Sequence, residues 1–103
     1  MGVNTRFERS LKYVCFMFIK YEVSKLDRSE RPSATDSLKF AMGKTGIKKL
    51  DIGNLAYKSI RKRTRKRLDK LPSKGTGTKT ERALVKKRVA AMKAKVDGKK
   101  AVA

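Results

Sequence analysis

Phe7, Leu11, Val14, Phe18 and Tyr21 recur at spacings of four and three, the period of one helical face, and predict a helix over residues 5–27. Cys15, Ile19 and Leu26 widen that face. Between Tyr13 and Ile19 the chain is apolar on every side, so this helix is expected to bury itself against more than one neighbour. Val, Ile, Tyr and Phe also suit a buried strand, which is the competing reading of the same run. Pro32 forces Arg31 out of the helical region and breaks the pattern. Ser33, Thr35 or Asp36 can then cap a short helix over 36–43, with Leu38, Phe40, Ala41 and Met42 as its apolar side.

Gly43 and Gly46 read as a turn that ends this helix and redirects the chain. A helix-turn-helix arrangement is permitted there. The next stripe is narrower: Tyr57, Ile60, Thr64, Leu68 and Leu71 mark one face of a long helix over 47–71. Asp51 suits its positive N-terminal end, Gly53 weakens its first turn by about 1 kcal/mol, and Pro72 stops it. Ser73–Thr78 has the composition of a flexible linker. Thr78 and Glu81 form a capping box for a last helix over 79–97 that ends at Gly98. Val85, Val89, Met92 and Val96 make its seam, with Ala90, Ala91 and Ala94 allowing close helix approach. The expected fold is all-α: a small helical domain with an extended, strongly basic helical arm, three to four helices and little independent core. Residues 1–50 form an apolar-rich anchor and assembly region. Residues 51–103 form a basic arm, with the linker at 72–78.

Charge sharpens that division. The chain has 103 residues, 39% apolar and 37% charged, against norms of roughly 45–50% and about 25%. Its net charge is +20, and 18 of its 29 Lys and Arg lie between Lys58 and Lys100 against only Asp69, Glu81 and Asp97. Fields of this strength call for a polyanionic partner, and self-repulsion opposes compaction without one. Much of the arm is therefore expected to order only beside counter-charge or a partner chain.

Six cations occupy the seven positions 61–67. At about 100° per residue they fan around most of a helix, leaving only the apolar stripe free. That geometry suits phosphates on two or three sides of the helix rather than a single recognition face. The candidate nucleic-acid contacts on this helix are Lys58, Arg61, Lys62, Arg63, Arg65, Lys66, Arg67 and Lys70. Lys74 in the linker and Lys79, Arg82, Lys86, Lys87, Arg88, Lys93 and Lys95 in the last helix extend the set. Arg61, Arg63, Arg65 and Arg67 can grip phosphate bidentately, whereas Lys acts as a point charge. The arm has no Asn or Gln beyond Asn54 and no aromatic beyond Tyr57. Base reading and single-strand stacking are thus poorly served, and backbone binding to duplex DNA, or next to structured RNA, is expected. Phe7, Leu11, Val14, Phe18 and Tyr21, with Val85, Val89, Met92 and Val96, are the candidate contacts to other chains of a homo- or hetero-oligomer.

Other chemistries find little support. The chain has no His, no nucleophile–base pair and a single cysteine, Cys15, inside an apolar run, so neither catalysis nor a metal site is expected. Gly43-Lys44-Thr45-Gly46 resembles the end of a phosphate loop, but Leu38 stands where the loop's first glycine belongs. No cofactor is implied. The apolar run of seven residues at Tyr13–Ile19 falls short of the about 20 a membrane span needs, and does not form a recognisable secretory signal. The expected setting is intracellular or inside a nucleoprotein particle: virion, nucleoid or ribosome. The reading that results is a non-enzymatic structural protein that neutralises phosphate backbone and coats duplex DNA in many copies. The alternative is a small ribosomal protein that binds rRNA through its basic extension.

Overall fold

The stripe that begins at Phe7 winds into α1, Thr5–Tyr21, and its buried positions Leu11, Cys15, Phe18 and Ile19 set the centre of the core. A computed structural model describes the backbone of residues 5–102 and the side chains of residues 6–92. Among the described residues the chain forms five α-helices and two single 3₁₀ turns, with no strand, so the fold is all-α.

α1 ends earlier than its pattern suggests. The Ser24 hydroxyl donates to the Lys20 carbonyl, and the chain tightens into a 3₁₀ turn at Val23–Lys25. Side-chain competition for a backbone acceptor of this kind favours helix ends. Val23 and Leu26 still point into the core. A second 3₁₀ turn, Arg28–Glu30, leads to Ser33, whose Oγ accepts the Asp36 amide at 3.1 Å and starts α2, Ala34–Thr45. α2 runs through Gly43 and stops at Gly46, a left-handed C-cap. Gly43 therefore marks a close approach rather than a turn. A Cβ there would lie 3.2 Å from Cε of Met92.

The expected long helix is broken in two. α3, Lys49–Ile52, is a single turn, capped by the Lys48 amide donating to Asp51 Oδ2 at 2.7 Å. Gly53, at φ 86°, ψ 163°, then kinks the chain into α4, Asn54–Lys70. That φ is open to glycine and strained for other residues, so Gly53 breaks the helix outright instead of weakening its first turn. A one-turn α3 also removes the second helix that a helix-turn-helix would need.

α1, α2 and α4 pack around one core, joined by Ile47 and Ile52. Phe18 and Phe40 stack with ring centroids 3.9 Å apart and planes 13° from parallel. Tyr57, Ile60 and Thr64 of α4 are buried within the same core, so residues 1–50 and the start of the basic half share one hydrophobic interior. α5, Lys79–Val102, docks on α2 and on the Val23–Lys25 turn through Val85, Val89 and Met92. Its backbone continues past Gly98, where the sequence pattern places its end.

The stretch with linker composition is strapped down. The Thr76 amide donates to the Ser24 carbonyl at 3.1 Å, and the Arg28 amide donates to the Ser73 carbonyl at 2.8 Å. The Gly75 amide donates to Asp27 Oδ1 at 2.9 Å. A Cβ on Gly75 would stand 2.2 Å from the Lys25 carbonyl oxygen, so glycine here serves close packing rather than flexibility.

Candidate nucleic-acid interface

α4 carries two opposed properties on one cylinder. Its narrow stripe is buried, while Lys58, Arg61, Lys62, Arg63, Arg65, Lys66, Arg67 and Lys70 are all exposed. None of these eight cations forms an ion pair among the described residues. Five like-charged i, i+4 pairs stand along the helix, such as Lys58/Lys62 and Arg61/Arg65, and together oppose it by roughly 1–2.5 kcal/mol. Burying Ile60 alone stabilises by about 1.5–3 kcal/mol, and Tyr57, Leu68 and Leu71 add further apolar contact. The hydrophobic face therefore holds α4 helical against its own charge, a role the composition assigns to a bound polyanion. Thr64 is the polar member of the buried stripe. Its hydroxyl donates to the Ile60 carbonyl at 2.7 Å, which leaves the Cys15 thiol to donate to Thr64 Oγ1 at 3.4 Å. Burial pushes the Cys15 thiol above its ordinary pKa, while the bond to Thr64 and the charge of Arg67 pull the other way.

Two of the α4 cations lie over rings. The Arg67 guanidinium lies 4.0 Å from the Phe16 ring centroid, and that of Arg61 lies 5.9 Å from Tyr57. Tyr57, the arm's single aromatic, is buried under Lys49 and Arg61 and offers no platform for a base.

α5 is different. Arg82 sits 2.9 Å from Asp27 and 3.4 Å from Glu30, and Lys86 sits 2.7 Å from Glu30. Arg88 lies 3.3 Å from Glu22, a Coulombic contact not aligned as a hydrogen bond. Lys25 approaches Glu81 at 3.4 Å in the reverse sense. The lysine hydrogen bond from Lys86 holds the Glu30 carboxyl below its ordinary range. The Thr78 amide, with Lys25 behind it, does the same for Glu81. Three cations assigned by composition to nucleic acid, Arg82, Lys86 and Arg88, thus act as an internal clasp between α5 and the segment that follows α1. Sequence reasoning missed it because the hydrogen-bonded partners stand 52 to 56 residues apart along the chain. Lys74, Lys79 and Lys87 remain exposed outside the clasp. Lys93 and Lys95 lie outside the described side chains.

The structure adds two cations that no pattern in the sequence singles out. Arg28 and Arg31 face α4 across a groove of about 730 Å3 that runs between α4 and residues 28–35. Arg31 Nε donates to the Leu26 carbonyl at 2.9 Å and its Nη2 to the Pro72 carbonyl. Burial draws the Arg31 guanidinium below its ordinary pKa, with Asp27 opposing the shift.

The expected contacts to other chains are largely filled from within. Leu11, Phe18 and Val85 are buried, and Val14, Val89 and Met92 pack against the core as half-buried neighbours. Their helical spacing marks the inward faces of α1 and α5 rather than an intermolecular seam. Of that set only Phe7 and Tyr21 are exposed, and Val96 lies outside the described side chains. The most exposed large apolar residues are instead Leu50 at 90% and Leu55 at 86%, on either side of the Gly53 kink. The kink that separates them is not revealed by the periodicity.

A smaller cavity of about 210 Å3 lies between Phe18, Phe40, Val89 and Met92, with Glu30, Arg31, Asp36 and Lys39 at its rim. It falls below the roughly 300–1,000 Å3 of typical ligand clefts. Gly43–Gly46 forms the end of α2, with Leu38 buried in the helix before it, so no phosphate loop is built there. Among the described residues no group of three or more His, Cys, Asp or Glu gathers as a metal site, and no helix is long and apolar enough to cross a membrane. No protein-family model, curated protein or solved structure matches the chain.

Proposed function

We propose that this chain is a non-enzymatic structural protein that binds the phosphate backbone of double-helical nucleic acid without reading its sequence. The observation that carries the reading is α4: eight exposed cations without acidic partners among the described residues, on a helix fixed in place by its own buried stripe. Phosphate contacts give affinity and register but carry no sequence information. The helix presents no Gln and only Asn54 at its first position, so the amide pairing that reads adenine is poorly served on it. With Tyr57 buried, stacking on an unpaired strand is equally unsupported on α4.

One form of the proposal is coating of duplex DNA in many copies, as in a nucleoid or virion nucleoprotein. The second form is a ribosomal protein lodged once on structured rRNA. The burial of Leu11 and Phe18 in the chain's own core favours this second form, because it removes the seam through which copies would join. Binding to a labelled plain duplex and to an RNA hairpin, measured from about 50 to 200 mM salt, tests the proposal. With 6–10 phosphate contacts, affinity should fall by roughly 10³–10⁵ over that range. A flat response overturns it. Cooperative binding at a fixed number of base pairs per protomer marks the coating form. Single-copy co-sedimentation with a ribosomal subunit marks the other.

A further inference from the structure

We infer that the groove between α4 and residues 28–35 seats one phosphate strand between two cationic walls, Arg28 and Arg31 on one side and Lys58, Arg61, Lys62 and Arg65 on the other. The inference rests on the proposed nucleic-acid reading and adds to it a specific path for the backbone.

The electrostatics of the walls carry the argument. Six cations line one groove against a single carboxylate, Asp69. None of the six is ion-paired among the described residues, although acids elsewhere pair with Lys25, Arg82, Lys86 and Arg88. Cations facing one another repel, and an anion lying between them converts that repulsion into attraction on both sides. A low-dielectric wall on each flank also focuses the field into the cleft.

The wall opposite α4 is built rather than incidental. Both guanidinium contacts of Arg31, to Leu26 and Pro72, are to neutral carbonyls. They fix the plane of the fork without neutralising it, and its remaining N–H donors stay available to a phosphate oxygen. Arg28 is exposed, and its amide is tied to Ser73. From Lys58 to Arg65 the α4 wall runs about 10 Å. A B-form strand carries about three phosphates over that axial length.

Arg28→Glu reverses one charge on the wall away from α4, and Lys87→Glu makes the same change on the exposed face of α5. On a duplex of about 20 base pairs near 0.1 M salt, Arg28→Glu should weaken binding about 10-fold or more and Lys87→Glu by less than about 3-fold. Arg28→Ala should lower the salt slope by about one. Asp69→Asn, which removes the groove's carboxylate, should tighten binding several-fold and gives a second reading if the reversal disturbs folding. Equal weakening by the Arg28 and Lys87 variants, or no gain from Asp69→Asn, overturns the groove and leaves the α4 reading standing. Failure of the wild-type chain to bind any duplex overturns both. Inorganic tripolyphosphate should displace the duplex from the wild type better than poly-glutamate of equal charge. Equal displacement overturns the assignment to phosphate.

Discussion

Removing Arg61 and Arg65 together separates binding from folding. Both side chains are exposed, both lie on the groove wall of α4, and neither forms an ion pair among the described residues. Each phosphate contact to B-form DNA contributes about 0.9 to the slope of log affinity against log salt. Arg61→Ala with Arg65→Ala should therefore flatten the slope by about 1.8. Extrapolated from 1 M to about 0.1 M salt, that is roughly 60-fold in affinity, or about 2.4 kcal/mol. Stability should change little. The pair stands at i, i+4, so its removal relieves roughly 0.2–0.5 kcal/mol of repulsion within α4, offset by the loss of the Arg61 contact over the Tyr57 ring and of the opposite-charge Arg65/Asp69 spacing at i, i+4. Ile60 and Thr64, which anchor the helix, are untouched. The assay is fluorescence anisotropy on a labelled duplex over a salt series, beside a thermal melt of the free protein. A variant that binds as the wild type does, with the same salt slope, refutes the assignment of α4 as the main contact. A variant that melts well below the wild type refutes the claim that these arginines are dispensable for the fold.

Three further outcomes follow from particular contacts. Gly75→Ala should destabilise the protein by about 1–3 kcal/mol in chemical denaturation, because its Cβ would meet the Lys25 carbonyl oxygen at 2.2 Å; wild-type stability would refute the tight strap. Glu30 and Glu81 are held below their ordinary range, Glu30 chiefly by Lys86 and Glu81 chiefly by the Thr78 amide. Groups shifted downward stabilise above their unfolded value of about 4.3, and that support is lost as pH falls through the lower folded values. Amide exchange in the first turns of α5, corrected for intrinsic rates, should therefore accelerate as pH drops below about 4, and unchanged protection would refute the clasp. The Cys15 thiol is fully buried with a raised pKa, so a thiol-specific reagent near pH 8 should label it only under unfolding conditions, and rapid native labelling would refute its place in the core.

Side-chain spacing made α1 and the buried face of α4 legible. Leu11, Val14 and Phe18 step at helical intervals and turn inward, and Tyr57, Ile60 and Thr64 do the same. The α2 cap, placed at Ser33, Thr35 or Asp36, and the Thr78–Glu81 capping box were equally local; Ser33 supplies the first and the second is present. What the apolar spacing could not say was which partner the face would meet. The stripes of α1 and α5 read as seams for other chains, yet they close on this chain's own α2 and α4 and on the turn after α1. Periodicity reports that a face is apolar and is silent about whether its complement lies in the same molecule.

Composition and local pattern by themselves determined the all-α character, the caps and the excess of positive charge in the second half. These depend on residues within a turn or two of one another, or on simple counts. Tertiary structure alone decided how that charge is divided. It turned Arg82, Lys86 and Arg88 toward Glu30, Asp27 and Glu22, left the α4 cations without ion-pair partners among the described residues, and brought Arg28 and Arg31 across a groove from them. The reason is distance: Coulomb energy and screening depend on separation in space. Residues 52 or more positions apart acquire a separation only when the core has closed.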